Sequence, residues 1–461
     1  MTALLIAKAR LIDPLAGIDG TRDLLVEGAA VKAVAPAGSL VPEPGVLVFE
    51  AAGLWVMPGL VDPHVHLRDP GFPEKETIES GLKAAAAGGF TTVAAMANTA
   101  PVNDHPEVTA YMQEKARLAG GAKLVAVAAL SEGLEGKRVA GLRAMAQAGA
   151  RLFSDDGLPV DDPELLRQAL IAAAELGRVA SLHEEDRGLG RLAPVNAGRV
   201  AQALGVEGSP PEAEWRRVAR DLALAEQART PVHIAHVSTR ESLAVIARAK
   251  AAGVAVTCEA TPHHLSLDDS AVLRLGTMAK MAPPLRSPAD VEALRRALAD
   301  GTVDMIASDH APHDAAAKRL AELEGAFVDG GRTRLPALSA AERAALGAAA
   351  NGVVGLETAL GIALVLVHAG VISPARLVEL MAINPARLLR LGRTSLAPRM
   401  PADITVVDPL LEWTVEPGRF FSKSRNTPFA GLTLKGRAVL TIVEGRVVYD
   451  LLAATRQHGG G

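Results

Sequence analysis

The sequence is poor in cysteine, with only Cys258 among 461 residues. One thiol cannot form an internal disulfide, and it cannot build a zinc site rich in cysteine. Any metal ion must therefore be held by histidine and carboxylate side chains. Cys258 itself lies in an apolar stretch, which predicts a buried thiol.

Long apolar runs and clusters of basic residues are also missing. No uninterrupted apolar run is long enough to span a bilayer, and the first residues lack the pattern of a secretion signal. The net charge is −4, and lysine and arginine are dispersed along the chain. We therefore expect a cytoplasmic enzyme with a small-molecule substrate and neither nucleic acid nor a membrane as its partner.

The central part of the chain alternates between apolar strands and helices. The predicted helices include 78–87, 163–176 and 240–252. The eight predicted strands are Leu60–His66, Thr91–Ala97, Lys123–Leu130, Ala150–Ser154, Arg178–His183, Pro231–Val237, Val254–Glu259 and Val303–Ser308. This pattern predicts an α/β fold of the (β/α)8 TIM-barrel type. The alternative, a doubly wound sheet, lacks a Gly-x-Gly-x-x-Gly motif after an early strand.

Both ends of the chain are rich in short strands punctuated by glycine and proline. We predict that residues 1–57 and 395–461 form one small β-sandwich-like accessory domain and that residues 58–394 form the barrel. Two separate appendages are the alternative. Near the end, two apolar runs flank Glu444-Gly445, and this spacing predicts a hairpin.

The histidines of the first barrel strand have the spacing of metal ligands. His64 and His66 are two residues apart, so on a strand they face the same side. They could equally be polar residues at the end of a sheet, because two histidines do not complete a metal site. The rest of the chain must decide between these interpretations.

Polar residues recur where the predicted strands end, and in this fold active sites lie at that end of the barrel. The residues concerned are His64, His66, Asn98, Asp155, Asp156, His183, His236 and Asp309. Asp155 and Asp156 alone could cap a turn, but several strands ending in histidine or aspartate favour a metal site. Four histidines and two carboxylates suit two divalent ions, and zinc accepts both ligand types. Such a pair lowers the pKa of water, which favours hydrolysis of an amide-like bond.

With these motifs the chain resembles the amidohydrolase superfamily and, within it, the bacterial dihydroorotases. The resemblance spans nearly the whole chain. The matching motifs are Asp62-Pro63-His64-Val65-His66-Leu67-Arg68-Asp69-Pro70-Gly71, Asn98-Thr99, Phe153-Ser154-Asp155-Asp156-Gly157, Thr261-Pro262-His263-His264-Leu265, Asp309-His310-Ala311-Pro312-His313, Gly355-Leu356-Glu357-Thr358 and Ser424-Arg425-Asn426-Thr427-Pro428-Phe429.

The resemblance implies a role for each site residue. His64, His66 and Asp309 would hold one zinc ion, His183 and His236 would hold a second, and Asp156 would bridge the two. Asp309 would also be the catalytic proton shuttle. The substrate would be bound by Arg68, Asn98, His313, Asn351 and Gly352. The implied reaction is the reversible hydrolysis of dihydroorotate to N-carbamoyl-aspartate, a step of pyrimidine synthesis.

The sequence departs from the family pattern at several positions. Ala282 stands where an asparagine usually precedes Pro-Pro-Leu-Arg, Ala97 replaces a proline, and Asn351 replaces a phenylalanine before Gly352. The stretch 314–350 is also longer than usual, and a loop there could serve as a lid. These changes leave the predicted metal ligands intact and concern the substrate contacts.

Other interpretations remain open at this stage. The protein could be a related cyclic amidohydrolase, such as an allantoinase or hydantoinase, or a non-catalytic subunit that supports aspartate carbamoyltransferase. A homo-oligomer is also possible. Individual histidines have simpler explanations: core packing for His233, and a supporting or structural role for His263 and His264.

Overall fold

The computed structural model describes residues 3–190, 193–323 and 338–451. The middle of the long stretch predicted at 314–350 lies outside the described residues, as does the end of the predicted accessory domain. The strands are β1 (Leu4–Asp13), β2 (Ile18–Glu27), β3 (Ala30–Pro36), β4 (Leu47–Glu50), β5 (Trp55–Pro58), β6 (Leu60–Val65), β7 (Phe90–Ala95), β8 (Lys123–Ala128), β9 (Leu152–Phe153), β10 (Val179–Leu182), β11 (Val195–Asn196), β12 (Gly208–Ser209), β13 (Val232–Ile234), β14 (Val256–Ala260), β15 (Met305–Ile306), β16 (Ile404–Thr414), β17 (Thr433–Val443) and β18 (Arg446–Asp450).

Helices follow most of the barrel strands. They are α1 (Ile78–Ala87), α2 (Pro106–Ala119), α3 (Leu142–Gln147), α4 (Pro163–Glu175), α5 (Arg187–Gly190), α6 (Arg199–Leu204), α7 (Glu212–Ala228), α8 (Arg240–Ala251), α9 (Pro262–Ser266), α10 (Val272–Leu275), α11 (Pro288–Asp300), α12 (Ala340–Ala348), α13 (Ala359–His368), α14 (Pro374–Val378) and α15 (Asn384–Leu388). None of the helices in the described part of the chain is long and apolar enough to cross a membrane.

Eight strands form the barrel in the order β15-β14-β13-β10-β9-β8-β7-β6, and every neighbouring pair is parallel. The ring closes where Val65 bridges His310, and the His66 amide donates to the His310 carbonyl at 2.8 Å. Each predicted strand overlaps an observed one, with β7 beginning one residue earlier and β14 ending one residue later than predicted, so the predicted (β/α)8 fold is confirmed. Strands β6 and β7 are buried throughout, as expected for a parallel sheet covered by helices.

Local sequence explains where helix α1 begins and ends. Thr77 caps the helix by accepting from the Ser80 amide, and the Ser80 hydroxyl accepts from the Thr77 amide in return. This capping box starts the helix at Ile78, and Gly88 follows its last residue. The bounds agree with the predicted 78–87, so α1 packs where the alternation of strand and helix placed it.

The two ends of the chain share one sheet in the order β18-β17-β16-β5-β1-β2-β3, with β4 paired to β1. The pairing of β5 with β16 joins the ends, so the alternative of two separate appendages is wrong. Apolar residues from both ends pack into a core of their own, among them Ile6, Leu24, Val406 and Ile442. The hairpin at Glu444-Gly445 is confirmed, with both residues at positive φ. The exact domain boundaries stay predictions.

Candidate active site

Six of the predicted site residues converge at the C-terminal end of the barrel. They lie at or just after the C-terminal ends of five strands: His64 and His66 at β6, Asp156 after β9, His183 after β10, His236 after β13 and Asp309 after β15. All six are less than 8% exposed. The topology of the barrel thus brings together residues that are up to 245 positions apart in the chain.

The carboxylate of Asp156 lies at the centre of the four histidines. His64 Nε2 is 3.3 Å from Asp156 Oδ1, and His66 Nε2 is 3.5 Å from Oδ2. On the other side, His183 Nδ1 and His236 Nε2 lie 3.4 Å and 3.6 Å from Oδ1. Two groups that could hold a metal ion result, His64-His66-Asp156 and Asp156-His183-His236, and they share Asp156.

These spacings fit cations better than direct hydrogen bonds. Ligand atoms at about 2.0–2.1 Å from a tetrahedral zinc ion lie about 3.3–3.4 Å from one another, close to the separations between Asp156 and the histidines. His183 Nδ1 and His236 Nε2 lie closer to each other, at 2.8 Å, which is a hydrogen-bond distance. In addition, His64 Nε2, Asp156 Oδ1 and His236 Nδ1 are buried with no hydrogen-bond partner among the described residues. Buried polar atoms without a partner are costly, so this cluster is suited to bound metal.

The electrostatics of the cluster also favour bound positive charge. Burial opposes ionisation of Asp156, but His64, His183 and His236 hold the pKa of its carboxyl well below the usual range. Conversely, although burial disfavours its charged form, the pKa of His64 is raised well above normal by Asp156 and Glu259. The carboxylate charge that attracts a proton to His64 would attract a divalent ion in the same way.

Glu259 is a supporting residue that was missed from the sequence. It is the next-to-last residue of strand β14. Its Oε1 lies 2.7 Å from His64 Nδ1, and its Oε2 lies 3.1 Å from His233 Nε2. His233, expected to be a packing residue, therefore belongs to this network. Burial disfavours the charge on Glu259, but His64 and His233 bring its pKa down to about 2. The carboxylate thus fixes the ring orientation that aims His64 Nε2 into the cluster.

We expect Glu259→Gln to weaken divalent metal binding by about 10- to 100-fold, because the neutral amide no longer orients and polarises His64. The measurement is metal affinity by competition with a chelator. Glu412→Gln, at an exposed position of β16, serves as the control and should bind as the parent does. An unchanged affinity in Glu259→Gln would show that this carboxylate does not support the site.

The backbone is strained at three of the site residues. Arg68, His236 and Asp309 have φ values of 60°, 30° and 45°, a region that L-residues with side chains rarely adopt. Such conformations persist where the surrounding structure enforces them, and they cluster at functional sites. Here the strain turns the three side chains toward one pocket.

That pocket has a volume of about 240 Å³ and opens above the cluster. Its lining residues are His66, Arg68, Asn98, Asp156, Gly157, Pro159, His183, Glu185, His236, Ala282, Asp309, Ala311, Asn351 and Gly352. Most of the predicted substrate-binding residues are thus brought together. Glu185, not predicted from the sequence, also faces the pocket, with Oε2 3.5 Å from His183 Nε2.

His313 lies one layer behind Arg68 and does not line the pocket. Its Nε2 is 3.2 Å from Arg68 Nη2, and burial together with the Arg68 charge lowers the pKa of His313 to about 2. A neutral imidazole can accept this hydrogen bond and so orient the guanidinium. Among the described residues no carboxylate lies within 4 Å of the Arg68 guanidinium, which leaves its charge available to the pocket.

Asn351 and Gly352 form a further part of the pocket wall. Gly352 has φ of +106°, and a Cβ there would lie 2.5 Å from Ala311 Cβ, so only glycine fits. The Asn426 amide donates to the carbonyls of Gly352 and Ala311, each at 3.0 Å. Asn426 therefore positions this wall, a role that its motif alone did not disclose. Ala282, as expected, contributes no polar side-chain group.

Two further histidines, His263 and His264, are buried near the site. His264 Nδ1 lies 2.8 Å from the Thr261 hydroxyl, and its Nε2 lies 3.0 Å from the Pro283 carbonyl, so it holds two loops together. His263 is buried nearby, and burial lowers its pKa well below the usual range. Neither belongs to the two groups that could hold a metal ion.

Comparisons with known proteins identify the family to which this chain is similar. Residues 53–242 match the family model described as dihydro-orotase-like. The chain is 46% identical to a dihydroorotase from Geobacter metallireducens, over 97% of this chain and 99% of that one. It is 43% identical to a dihydroorotase from Syntrophus aciditrophicus with the same coverage.

Solved structures of related hydrolases share the fold. An L-hydantoinase (dihydropyrimidinase) from Arthrobacter aurescens superposes with a TM-score of 0.82 at 26% identity, covering 98% of this chain and 96% of that one. A D-hydantoinase (dihydropyrimidinase) from a Thermus species gives 0.78 at the same identity. The two dihydroorotase relatives match nearly the whole chain at 43–46% identity and share one name, so this chain belongs to the dihydroorotase family.

Proposed function

We propose that this protein is a dihydroorotase that hydrolyses dihydroorotate reversibly to N-carbamoyl-aspartate in pyrimidine synthesis. The observation that carries the proposal is the position of Arg68, whose guanidinium has no carboxylate partner among the described residues and faces the same pocket as the two candidate metal groups. A guanidinium matches a carboxylate in a bidentate manner, and the carboxylate of dihydroorotate provides that group. Full-length relatives named dihydroorotase support the assignment.

The donor set suits two zinc ions. His64, His66 and Asp309 would hold one ion, His183 and His236 the other, and Asp156 would bridge them. Asp309 Oδ1 lies 3.2 Å from His66 Nε2 and 3.6 Å from His64 Nε2, which places it beside the first group. When bound, the ions would lower the pKa of the attacking water and polarise the ring carbonyl.

The chain's own groups would bind the substrate and move the proton. Arg68, oriented by His313, binds the carboxylate. Asn98 accepts from His66 Nδ1 through its Oδ1 at 2.9 Å, which leaves its amide N–H groups for the substrate. Asp309 takes the proton that the attacking water loses and returns it to the nitrogen released when the ring amide bond breaks.

The proposal is tested by assaying the purified protein with dihydroorotate, hydantoin and allantoin, alongside a metal count. Turnover of dihydroorotate well above that of the other two supports it. Preference for hydantoin or allantoin would instead favour the second candidate, a related cyclic amidohydrolase. That candidate rests on the likeness to hydantoinase structures and on Ala282, which offers no side-chain hydrogen bond to a substrate.

We expect Arg68→Ala to raise KM for dihydroorotate by about tenfold to a hundredfold, since hydrogen bonds to charged groups contribute about 1.5–3 kcal/mol. Turnover of uncharged hydantoin should change little. Steady-state kinetics on both substrates measure the difference. Arg68→Lys should recover part of the loss, because lysine keeps the positive charge but lacks the planar guanidinium that binds a carboxylate in a bidentate manner. Equal losses on both substrates would contradict the role.

The remaining expectations concern the setting of the enzyme. A non-catalytic subunit is disfavoured because every predicted ligand is present and buried at the site. A homo-oligomer, a complex with aspartate carbamoyltransferase and a cytoplasmic location stay predictions.

A further inference from the structure

Two lysines are buried behind the Asn351–Gly352 wall of the pocket. Lys318 is 0% exposed and Lys280 is 4% exposed. Burial lowers the pKa of Lys318 to about 7 and that of Lys280 to about 8, and no carboxylate in the described residues offsets this loss. A buried ammonium group without a counter-ion is costly, so such a pair calls for an explanation beyond packing.

The Lys318 ammonium group is bonded only to backbone carbonyls. Its Nζ donates to the carbonyls of Thr277, Lys280 and Ala350 at 2.9–3.1 Å. Three acceptors match the three N–H groups of the charged form, whereas a neutral amine has only two. The geometry therefore favours a positively charged Lys318.

Lys280 holds the same segment from its other side. Its Nζ donates to the carbonyls of Gly347 and Ala349 at 2.7 and 2.5 Å. Its own carbonyl accepts from the Gly352 amide at 3.0 Å. Residues 349–352 have no helix or strand of their own, so these bonds to lysine fix the backbone that leads into the pocket wall.

The charge of Lys318 acts on His313, the residue that orients Arg68. After burial and Arg68, the charge of Lys318 contributes to the lowered pKa of His313. His313 in turn contacts Arg68 at 3.2 Å. An anionic substrate beside Arg68 therefore supplies the negative charge that the two lysines lack.

We propose that Lys280 and Lys318 form a positioning pair that holds the Asn351–Gly352 wall and biases the pocket toward substrates that carry a carboxylate. This inference rests on the proposed dihydroorotase function. Neither lysine touches the substrate in this arrangement. Both act through the backbone of the wall and through their charge.

The test compares Lys318→Met and Lys280→Met with the parent enzyme on two substrates, dihydroorotate and hydantoin. We expect KM for dihydroorotate to rise roughly tenfold in each variant while kcat changes little, since the loss falls on binding. KM for hydantoin should change much less. Lys280→Arg and Lys318→Arg should recover part of the preference for dihydroorotate, because arginine keeps the charge and the donors.

Lys250→Met is the control, because Lys250 also donates to a backbone carbonyl, that of Thr302, but it pairs with Asp304 at 2.6 Å and lies at the opposite end of the barrel. Its KM values should equal those of the parent. If one methionine variant fails to fold, the other decides by the same comparison. Unchanged KM for dihydroorotate, or equal losses on both substrates, overturns the positioning pair. Failure of the parent to hydrolyse dihydroorotate overturns the proposed function instead.

Discussion

Replacing Asp309 with asparagine is expected to lower kcat by about a thousandfold while most of the bound metal remains, because general acid–base catalysis contributes about 10²–10⁴ to the rate. Asparagine keeps the size and one oxygen of aspartate, so it can still contact His66, but it cannot accept and return a proton. The side chain is buried at the pocket floor, where water cannot readily take over this task.

Two measurements separate this role from metal binding. Steady-state kinetics with dihydroorotate give the loss in kcat, and elemental analysis of the same sample gives the metal content. Asp300→Asn, at the exposed end of α11, should behave as the parent does in both. A near-normal rate in Asp309→Asn would rule out the proton shuttle. Complete loss of metal would show that Asp309 acts mainly as a metal ligand.

The second large effect concerns Asp156, the carboxylate shared by both candidate metal groups. We expect Asp156→Ala to lose both ions and to lower turnover at least about a thousandfold, since no other described carboxylate lies between the two groups. His66→Ala is the matched comparison, because His66 belongs to one group only and its loss should remove about one ion. The measurement is metal content per chain with kcat on dihydroorotate.

If Asp156→Ala keeps one tightly bound ion, the two metal-binding groups act independently and Asp156 does not bridge two ions. If His66→Ala and Asp156→Ala lose the same amount of metal, the two groups are one site. Either result would replace the two-ion arrangement.

Much of the fold could be predicted from the sequence, because the spacing of apolar residues along the chain indicates which residues are buried in strands and helices. The buried run at Leu60–Val65 and the capped amphipathic helix that starts at Ile78 lie where their patterns predict. The convergence of His64 and Asp156 follows once eight parallel strands are counted, since their C-terminal ends must meet. The strand and helix pattern therefore predicted, through the barrel topology, that residues far apart in the chain would lie close together.

Residues that act through partners could not be assigned in this way. Glu259 lies near the C-terminal end of a barrel strand, as the proposed ligands do, and that position could have marked it as a site residue. Its contacts with His64 and His233, however, are visible only in the three-dimensional structure. Lys318 gives no sequence signal at all, because it bonds to backbone carbonyls whose positions depend on the folded loops. The family resemblance likewise did not disclose the role of Asn426.

The fold alone does not choose the substrate. The hydantoinase structures superpose over nearly the whole chain, so the barrel is common to enzymes with different ring substrates. We propose that the choice depends on a few side chains around the pocket, foremost Arg68, and on the residues that orient them. Kinetics on matched substrates therefore tell more about this protein than further comparison of backbones.

We propose that Asp156 lies between two bound cations. Anomalous X-ray diffraction from crystals grown with zinc, recorded on both sides of the zinc absorption edge, tests this arrangement. We predict two peaks about 3.5–4 Å apart, one beside His64 and His66 and the other beside His183 and His236. A single peak, or peaks away from the Asp156 carboxylate, would contradict the account.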